Sequence, residues 1–134
     1  MKNEYLVFRL KPGDDLYEGI VAECVNNRLH AGAVISAVGC VQKVSLRTAD
    51  GQTIFHQTAD YEVTALSGTI SSDGLHLHIG LCDADLRCIG GHLQVGTIVN
   101  TTMEIVIVNL EKEYELSRSH DETTGYDELV VQRK

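Results

Sequence analysis

The sequence predicts an α+β fold: a single domain, residues 1–134, with a mostly antiparallel β-sheet flanked by helices. Three observations lead there. One stretch, Leu16 to about Leu29, repeats apolar pairs at helical spacing. Most of the remaining chain alternates, or runs in β-branched blocks divided by glycine and Asp-Gly turns. A chain of 134 residues has room for one hydrophobic core, not two.

Tyr5–Leu10 is rich in β-formers and is stopped by Pro12-Gly13, which predicts a first strand. Asp15 with Glu18 then forms the acidic variant of a capping box, and Asp14 adds negative charge where a helix N-terminus favours it. The helix that follows pairs Leu16/Tyr17, Ile20/Val21 and Cys24/Val25, and is weakened by Asn26-Asn27 before Gly32. Ala33–Val38 and Val41–Arg47 predict one long strand bent at Gly39. Asp50-Gly51 turns into Gln52–His56, and Tyr61–Thr69 continues the β pattern. Ser72-Asp73-Gly74 leads into Leu75–Leu81, and Gly90-Gly91 precedes a further strand start. Met103–Leu110 is a nearly unbroken apolar run, suited to a strand covered on both faces by the helix or by another subunit. Asp121–Tyr126 reads as a turn before a last strand, Glu128–Gln132.

Eleven Lys and Arg against 19 Asp and Glu leave a formal charge of −8. A domain that grips the DNA backbone unaided carries a basic patch or stripe. Here the basic residues are dispersed, and the only adjacent pair is Arg133-Lys134. No apolar stretch is long enough to cross a bilayer, and no export signal opens the sequence, so a cytoplasmic location is expected, without membrane attachment. Cys24, Cys40, Cys82 and Cys88 are scattered without a CxxC pair, which predicts free, core thiols in a reducing compartment. Neither a Walker A pattern, a dinucleotide fingerprint nor a GxSxG elbow is present.

The chemistry concentrates in Leu75-His76-Leu77-His78-Ile79-Gly80-Leu81. On a strand, Leu75, Leu77, Ile79 and Leu81 share one face, while His76, His78 and Gly80 share the other. Alternate α-carbons lie about 6.5 Å apart with parallel side chains. Two imidazoles so placed can converge on one ion, and His92 joins them if the segment after Gly90-Gly91 pairs with this one. Three histidines with a fourth position open is an arrangement for a reactive or ligand-binding zinc ion. Other readings stay open here: HxH on a solvated strand face, and His92 bonded to a turn. Arg47, Glu62 and Glu104 are candidate partners by residue type, with ordinary salt bridges as the competing reading. Asp14-Asp15 is a cap, His30 and His56 are turn or strand-end residues, and His120 beside Asp121 is an ion-pair or turn residue.

His76-x-His78, then Gly90-Gly91-His92-Leu93 and Gly96, resembles the PPC domain (plant and prokaryote conserved domain). The likeness runs through Val34-Ile35-Ser36-Ala37-Val38-Gly39, Leu46-Arg47, Tyr61-Glu62-Val63 with Leu66 and Gly68, Glu104–Ile107 and Thr124-Gly125-Tyr126 with Glu128-Leu129. The resemblance implies an antiparallel sheet with flanking helices and a homotrimer. In plants such domains accompany DNA-binding AT-hooks, and stand-alone prokaryotic members carry a DNA-binding label by that association. The fold is similar to that of alpha-acetolactate decarboxylase, whose zinc is held by an HxH pair and a later His; this implies ligand roles for His76, His78 and His92. No Arg-Gly-Arg-Pro hook exists in this chain, so the element that reads the minor groove is missing.

The expected function is therefore a homotrimeric binding protein, regulatory or DNA-associated through partners, with zinc or another divalent transition metal at His76, His78 and His92. The alternative is a zinc-dependent lyase or hydrolase acting on a small carbonyl substrate, with the metal binding that ligand directly.

Overall fold

The computed structural model describes residues 1–134. Eight strands and one α-helix follow in the order β1 (Tyr5–Leu10), α1 (Leu16–Asn27), β2 (Gly32–Arg47), β3 (Ile54–Ser71), β4 (Gly74–Cys82), β5 (Cys88–Leu93), β6 (Ile98–Asn109), β7 (Tyr114–Asp121) and β8 (Tyr126–Arg133). The first six strands form an antiparallel sheet in the order β1-β6-β2-β3-β4-β5. A further pairing of Leu46 with Leu93 and Arg47 with His92 joins β5 back to β2, so β2, β3, β4 and β5 close on themselves. That closure removes an exposed sheet edge beside the histidines. The strands β7 and β8 make a separate hairpin. One helix, not several, covers the sheet, and it is too short and polar to cross a membrane.

The helix starts where its capping residues demand. Asp15 Oδ1 accepts from Glu18 N–H at 3.0 Å, and Oδ2 accepts from Gly96 N–H at 2.7 Å. One carboxylate thus satisfies an orphan helical donor and ties the cap to the approach of β6. Leu16 N–H donates to Thr97 O and Val99 N–H to Asp14 O, which fixes the helix entry against that strand. The helix ends at Asn27, two residues before the sequence pattern fades, because Arg28 turns into the left-handed region at φ 53°. Leu16, Ile20 and Cys24 face a core that includes Leu6, Leu10, Met103, Ile105 and Ile107.

The predicted bend at Gly39 is real: the register against β6 shifts between Gly39 and Cys40 within one continuous β2. Tyr61–Thr69 and Ile54–His56 also belong to one strand, β3. Gly90-Gly91 lies inside β5 and not before it, opposite Gly80 and Ile79. Two glycines can occupy a strand here because the backbones approach closely: a Cβ at Gly90 would stand 2.6 Å from Ile79 O. The segment Tyr114–Asp121 forms a strand, β7, that the pattern of the sequence does not reveal. The core-thiol expectation holds for Cys24 alone; Cys40 and Cys82 are half-buried and Cys88 is exposed. The cause is strand parity: Cys82 and Cys88 face outward at the turn end of the β4–β5 pair, and Cys40 on β2 lies in the same cross-strand row through Glu62.

Gly68 sets the spacing of β3 against β4. Its φ is +144°, and a Cβ there would collide with the carbonyl oxygen of His76. Its partner across the sheet is Leu77, between the two histidines.

Replacing Asp15 by Ala is expected to destabilise the fold by about 1–2 kcal/mol through loss of the cap. Chemical denaturation checks this: the midpoint should fall with little change in slope.

Candidate functional site

Strand alternation builds the site. Leu77 is 1% exposed, Ile79 3% and Leu81 0%, which pins one face of β4 in the core. His76 and His78 therefore stand on the opposite face. The β4–β5 register places His92 directly across from His78. Ring centroids are 5.0 Å apart for His76–His78, 5.1 Å for His76–His92 and 5.5 Å for His78–His92. One nitrogen from each ring lies within 4.8 Å of the others. All three predicted ligands meet at one point.

The donor set fits a transition metal. The Nε2 atoms of His76 and His78 face each other at 3.2 Å, so at most one of them carries a proton between the two. A shared cation relieves the repulsion of two bare lone pairs. Arg47 donates through Nη2 to Nδ1 of His92 at 3.3 Å, which assigns the neutral ring's proton to Nε2. His92 would offer a metal either Nδ1, on release of Arg47, or Nε2, on loss of the proton there.

Electrostatics favours the neutral form of His92 and His76. Burial first, then Arg47, His76, His78 and Arg118, depress the imidazolium of His92 to about 4. Burial first, then His78, Arg118 and Arg47, also lowers His76, against an opposing pull from Glu128. Neutral imidazole is the form that binds metal.

The histidines floor a cleft of about 590 Å³. Arg47 reaches it from the end of β2, with its guanidinium 5.7 Å from the ring centre of Tyr126. Arg118, Tyr126, Asp127 and Glu128 come from the β7–β8 hairpin. Ser72 N–H donates to Leu116 O at 3.1 Å, and Arg118 N–H donates to Asp73 Oδ2 at 2.8 Å, so the β3–β4 turn holds the hairpin in place. Arg118 Nη2 then donates to Thr69 Oγ1 at 3.0 Å, and Thr69 is the strand neighbour of His76. Of the candidate partners, Arg47 stands in the site. Glu62 and Glu104 do not: they sit exposed on β3 and β6, opposite Cys82 and Arg9 respectively, and neither lines the cleft. Arg118 escaped sequence reading because β7 did; Tyr126 and Glu128 were noted in the family likeness, with Glu128 in the predicted last strand, but no site role was given to them or to Asp127. His120, expected as an ion-pair or turn residue, lies 3.5 Å from Asp127 and 3.8 Å from Glu122 at the β7–β8 turn.

A family model described as the Plants and Prokaryotes Conserved (PCC) domain matches residues 2–111, which contain Arg47 and all three histidines. The chain belongs to this family. It is the family that the sequence resembles, and β7–β8 lies beyond the matched residues. A hypothetical protein of Salmonella cholerae-suis has a similar structure, with a TM-score of 0.92 and 32% identity, over 97% of this chain and 94% of that one. A Bacteroides thetaiotaomicron protein whose name proposes DNA binding shares the fold at a TM-score of 0.86 and 21% identity, over 97% of this chain and 94% of its own. A metal-containing protein of Archaeoglobus fulgidus shares it at 0.76 and 23%, over 96% and 94%. Among curated proteins, a Synechococcus protein named Bifunctional protein GlmU is 42% identical over 131 residues, covering 93% of this PCC chain. The PCC chain spans about a fifth of that relative's length, 20%.

The depressed His92 has a consequence for stability. In the unfolded chain its imidazole titrates near 6.5, and in the folded chain near about 4. Between these values the unfolded state binds more protons, so stability is full above the upper value and is lost as pH falls toward the lower. The metal-free protein is expected to lose Tm from pH 6.5 to pH 4, and His92→Asn to flatten that slope. An equal slope in the variant would refute the assignment.

Proposed function

We propose that this PCC-domain protein is a homotrimeric binding protein whose three-His centre holds zinc and presents it to a small anionic ligand. One observation carries the reading: three imidazole nitrogens within 4.8 Å of one another share a cleft with two guanidiniums. Imidazole donors suit zinc, although nickel, copper and iron also accept them. The metal-containing Archaeoglobus relative of the same fold supports a metal here. When bound, zinc supplies Lewis acidity toward a carbonyl or water in its open position. Arg47 and Arg118 offer planar, paired donors that match a carboxylate or phosphate. Thr69 and Tyr126 hold those guanidiniums in position.

The enzymatic alternative, a zinc-dependent lyase or hydrolase on a small carbonyl compound, uses the same centre. The carboxylate placed to move a proton is then Glu128 in the cleft wall, in the role assigned by type to Glu62 or Glu104. DNA association is a further reading, favoured by the name of the Bacteroides relative. The charge of −8 argues that it runs through partners, or is weak and falls steeply with salt. A cytoplasmic protein free of membranes is consistent with all three.

The trimer is supported by the outward face of the sheet. Tyr5, Val108, Ala33, Thr69 and His76 are successive cross-strand partners, so one row of side chains runs from β1 to the metal centre. Its apolar half also carries Val7, 69% exposed, and Ile35 and Val38, each 56%. Apolar side chains that dense on one face call for a cover, and a neighbouring subunit there brings its boundary close to the histidines.

Light scattering at micromolar concentration is expected to give three times the 14.7 kDa chain mass; a monomer would overturn the trimer. Element analysis of protein supplied with zinc is expected to find one zinc per chain, reduced at least tenfold in His76→Ala, His78→Ala or His92→Ala. Arg47→Ala and Arg118→Ala should keep the metal yet weaken malonate binding by about tenfold or more, the loss of a charged hydrogen bond. Full metal content in His76→Ala would remove the centre.

A further inference from the structure

Cys82 and Cys88 are direct partners at the turn end of the β4–β5 hairpin. Asp83 N–H donates to Arg87 O at 3.0 Å, which makes residues 83 and 87 a hydrogen-bonded pair. By the alternation of an antiparallel ladder, Cys82 and Cys88 are then a non-hydrogen-bonded pair, with α-carbons about 4.5 Å apart and side chains at their closest. A disulfide spans α-carbon separations of about 4.4–6.8 Å, so the backbone already meets its requirement. Same-face parity aligns both cysteines with His78 and His92, the Gly80/Gly90 pair lying between.

We propose that Cys82 and Cys88 form a reversible disulfide, a redox modification site that staples the hairpin carrying His78 and His92. The oxidant is a low-molecular-weight disulfide. Cys88, the exposed thiol, attacks it as the thiolate, forms a mixed disulfide and expels one thiolate, which takes up a proton. Cys82 then gives up its proton and attacks the Cys88 sulfur, closing the protein disulfide and expelling the second thiol. Two protein thiols are oxidised and one external disulfide is reduced to two thiols.

The order follows from the surroundings. Loss of water contact first, then the Cys88 sulfur, Asp83 and Glu62, holds the Cys82 thiol above its usual range, so it resolves and does not initiate. The other cysteines do not compete. Cys24 is buried in the helix face, and desolvation pushes its thiol up to about 11. Cys40 is separated from Cys82 by Glu62 on the intervening strand, about 9.6 Å away at two strand spacings. The turn that joins the pair is already ordered: Asp83 Oδ1 accepts from Asp85 and Arg87 N–H groups, both at 2.9 Å.

The test treats the folded protein with glutathione disulfide, alkylates the remaining thiols and digests it with trypsin. Arg28, Lys43, Arg47, Arg87 and Lys112 place the four cysteines in four separate peptides, so each linkage is legible by mass. The expected result is a Cys82–Cys88 crosslinked peptide pair, a whole-protein loss of about 2 Da and a Tm higher by about 3–8 °C, all reversed by dithiothreitol. Cys82→Ser should retain one glutathione on Cys88, and Cys88→Ser should form no crosslink. A wild-type protein that stops at glutathione on Cys88, keeps all four thiols alkylatable, or links Cys40 instead would overturn the proposal.

Discussion

The period of two along β4 couples the core to the three-histidine cluster. Leu77, Ile79 and Leu81 are the fully buried residues of that strand, and each is one position from a residue of the functional face. A slip of one residue against β3 or β5 would bury His76 and His78 and expose the leucines. The free energy that buries about three large aliphatic side chains, roughly 1.5–3 kcal/mol each, therefore also dictates where the imidazoles point. Closure of β5 onto β2 adds the second half of the constraint. Leu46–Leu93 pairing seats a buried leucine pair and, one residue on, delivers Arg47 to His92.

That coupling explains why so much of the site was legible. His76, His78 and His92 could be assigned because HxH alternation and the double glycine are local features, and local features survive folding. The first strand and the helix cap were legible for the same reason: Tyr5–Leu10 ends at a proline-glycine pair, and Asp15 satisfies Glu18 three residues on. The strand carrying Arg118 was not. Tyr114–Asp121 holds charged and hydroxyl residues at most positions and buries only Leu116, so its hydrophobic alternation is faint. What makes it a strand is its pairing with β8 and its anchoring to Ser72 and Asp73, which are tertiary events. Glu62 and Glu104 show the converse. Their residue type suits proton transfer, but topology places both on exposed positions away from the cleft, and Glu128 stands there instead.

The cleft also resolves a tension in the charge pattern. The chain is acidic by eight charges, yet Arg47 and Arg118 flank one small volume with three imidazoles. Dispersed basic residues in the sequence become a local concentration because β2 and β7 converge over β4 and β5. Asp127 and Glu128 in the same wall limit the positive field to the floor of the cleft. The positive groups are thus confined to the cleft, while the rest of the surface carries the acidic excess.

The two halves of the site differ in how they are held. The family match ends at residue 111 and holds the histidines and Arg47; Arg118, Tyr126, Asp127 and Glu128 lie on the β7–β8 hairpin beyond it. The metal-binding geometry depends on core packing that few substitutions can vary without loss of the fold. The hairpin rests on the sheet through a few bonds to the β3–β4 turn and one from Arg118 to Thr69, and its outer residues Val130 and Val131 are exposed. Change there alters the wall of the cleft while leaving the centre intact. In a domain built this way, the sheet fixes where the three imidazoles meet and the hairpin shapes the wall of the cleft above them.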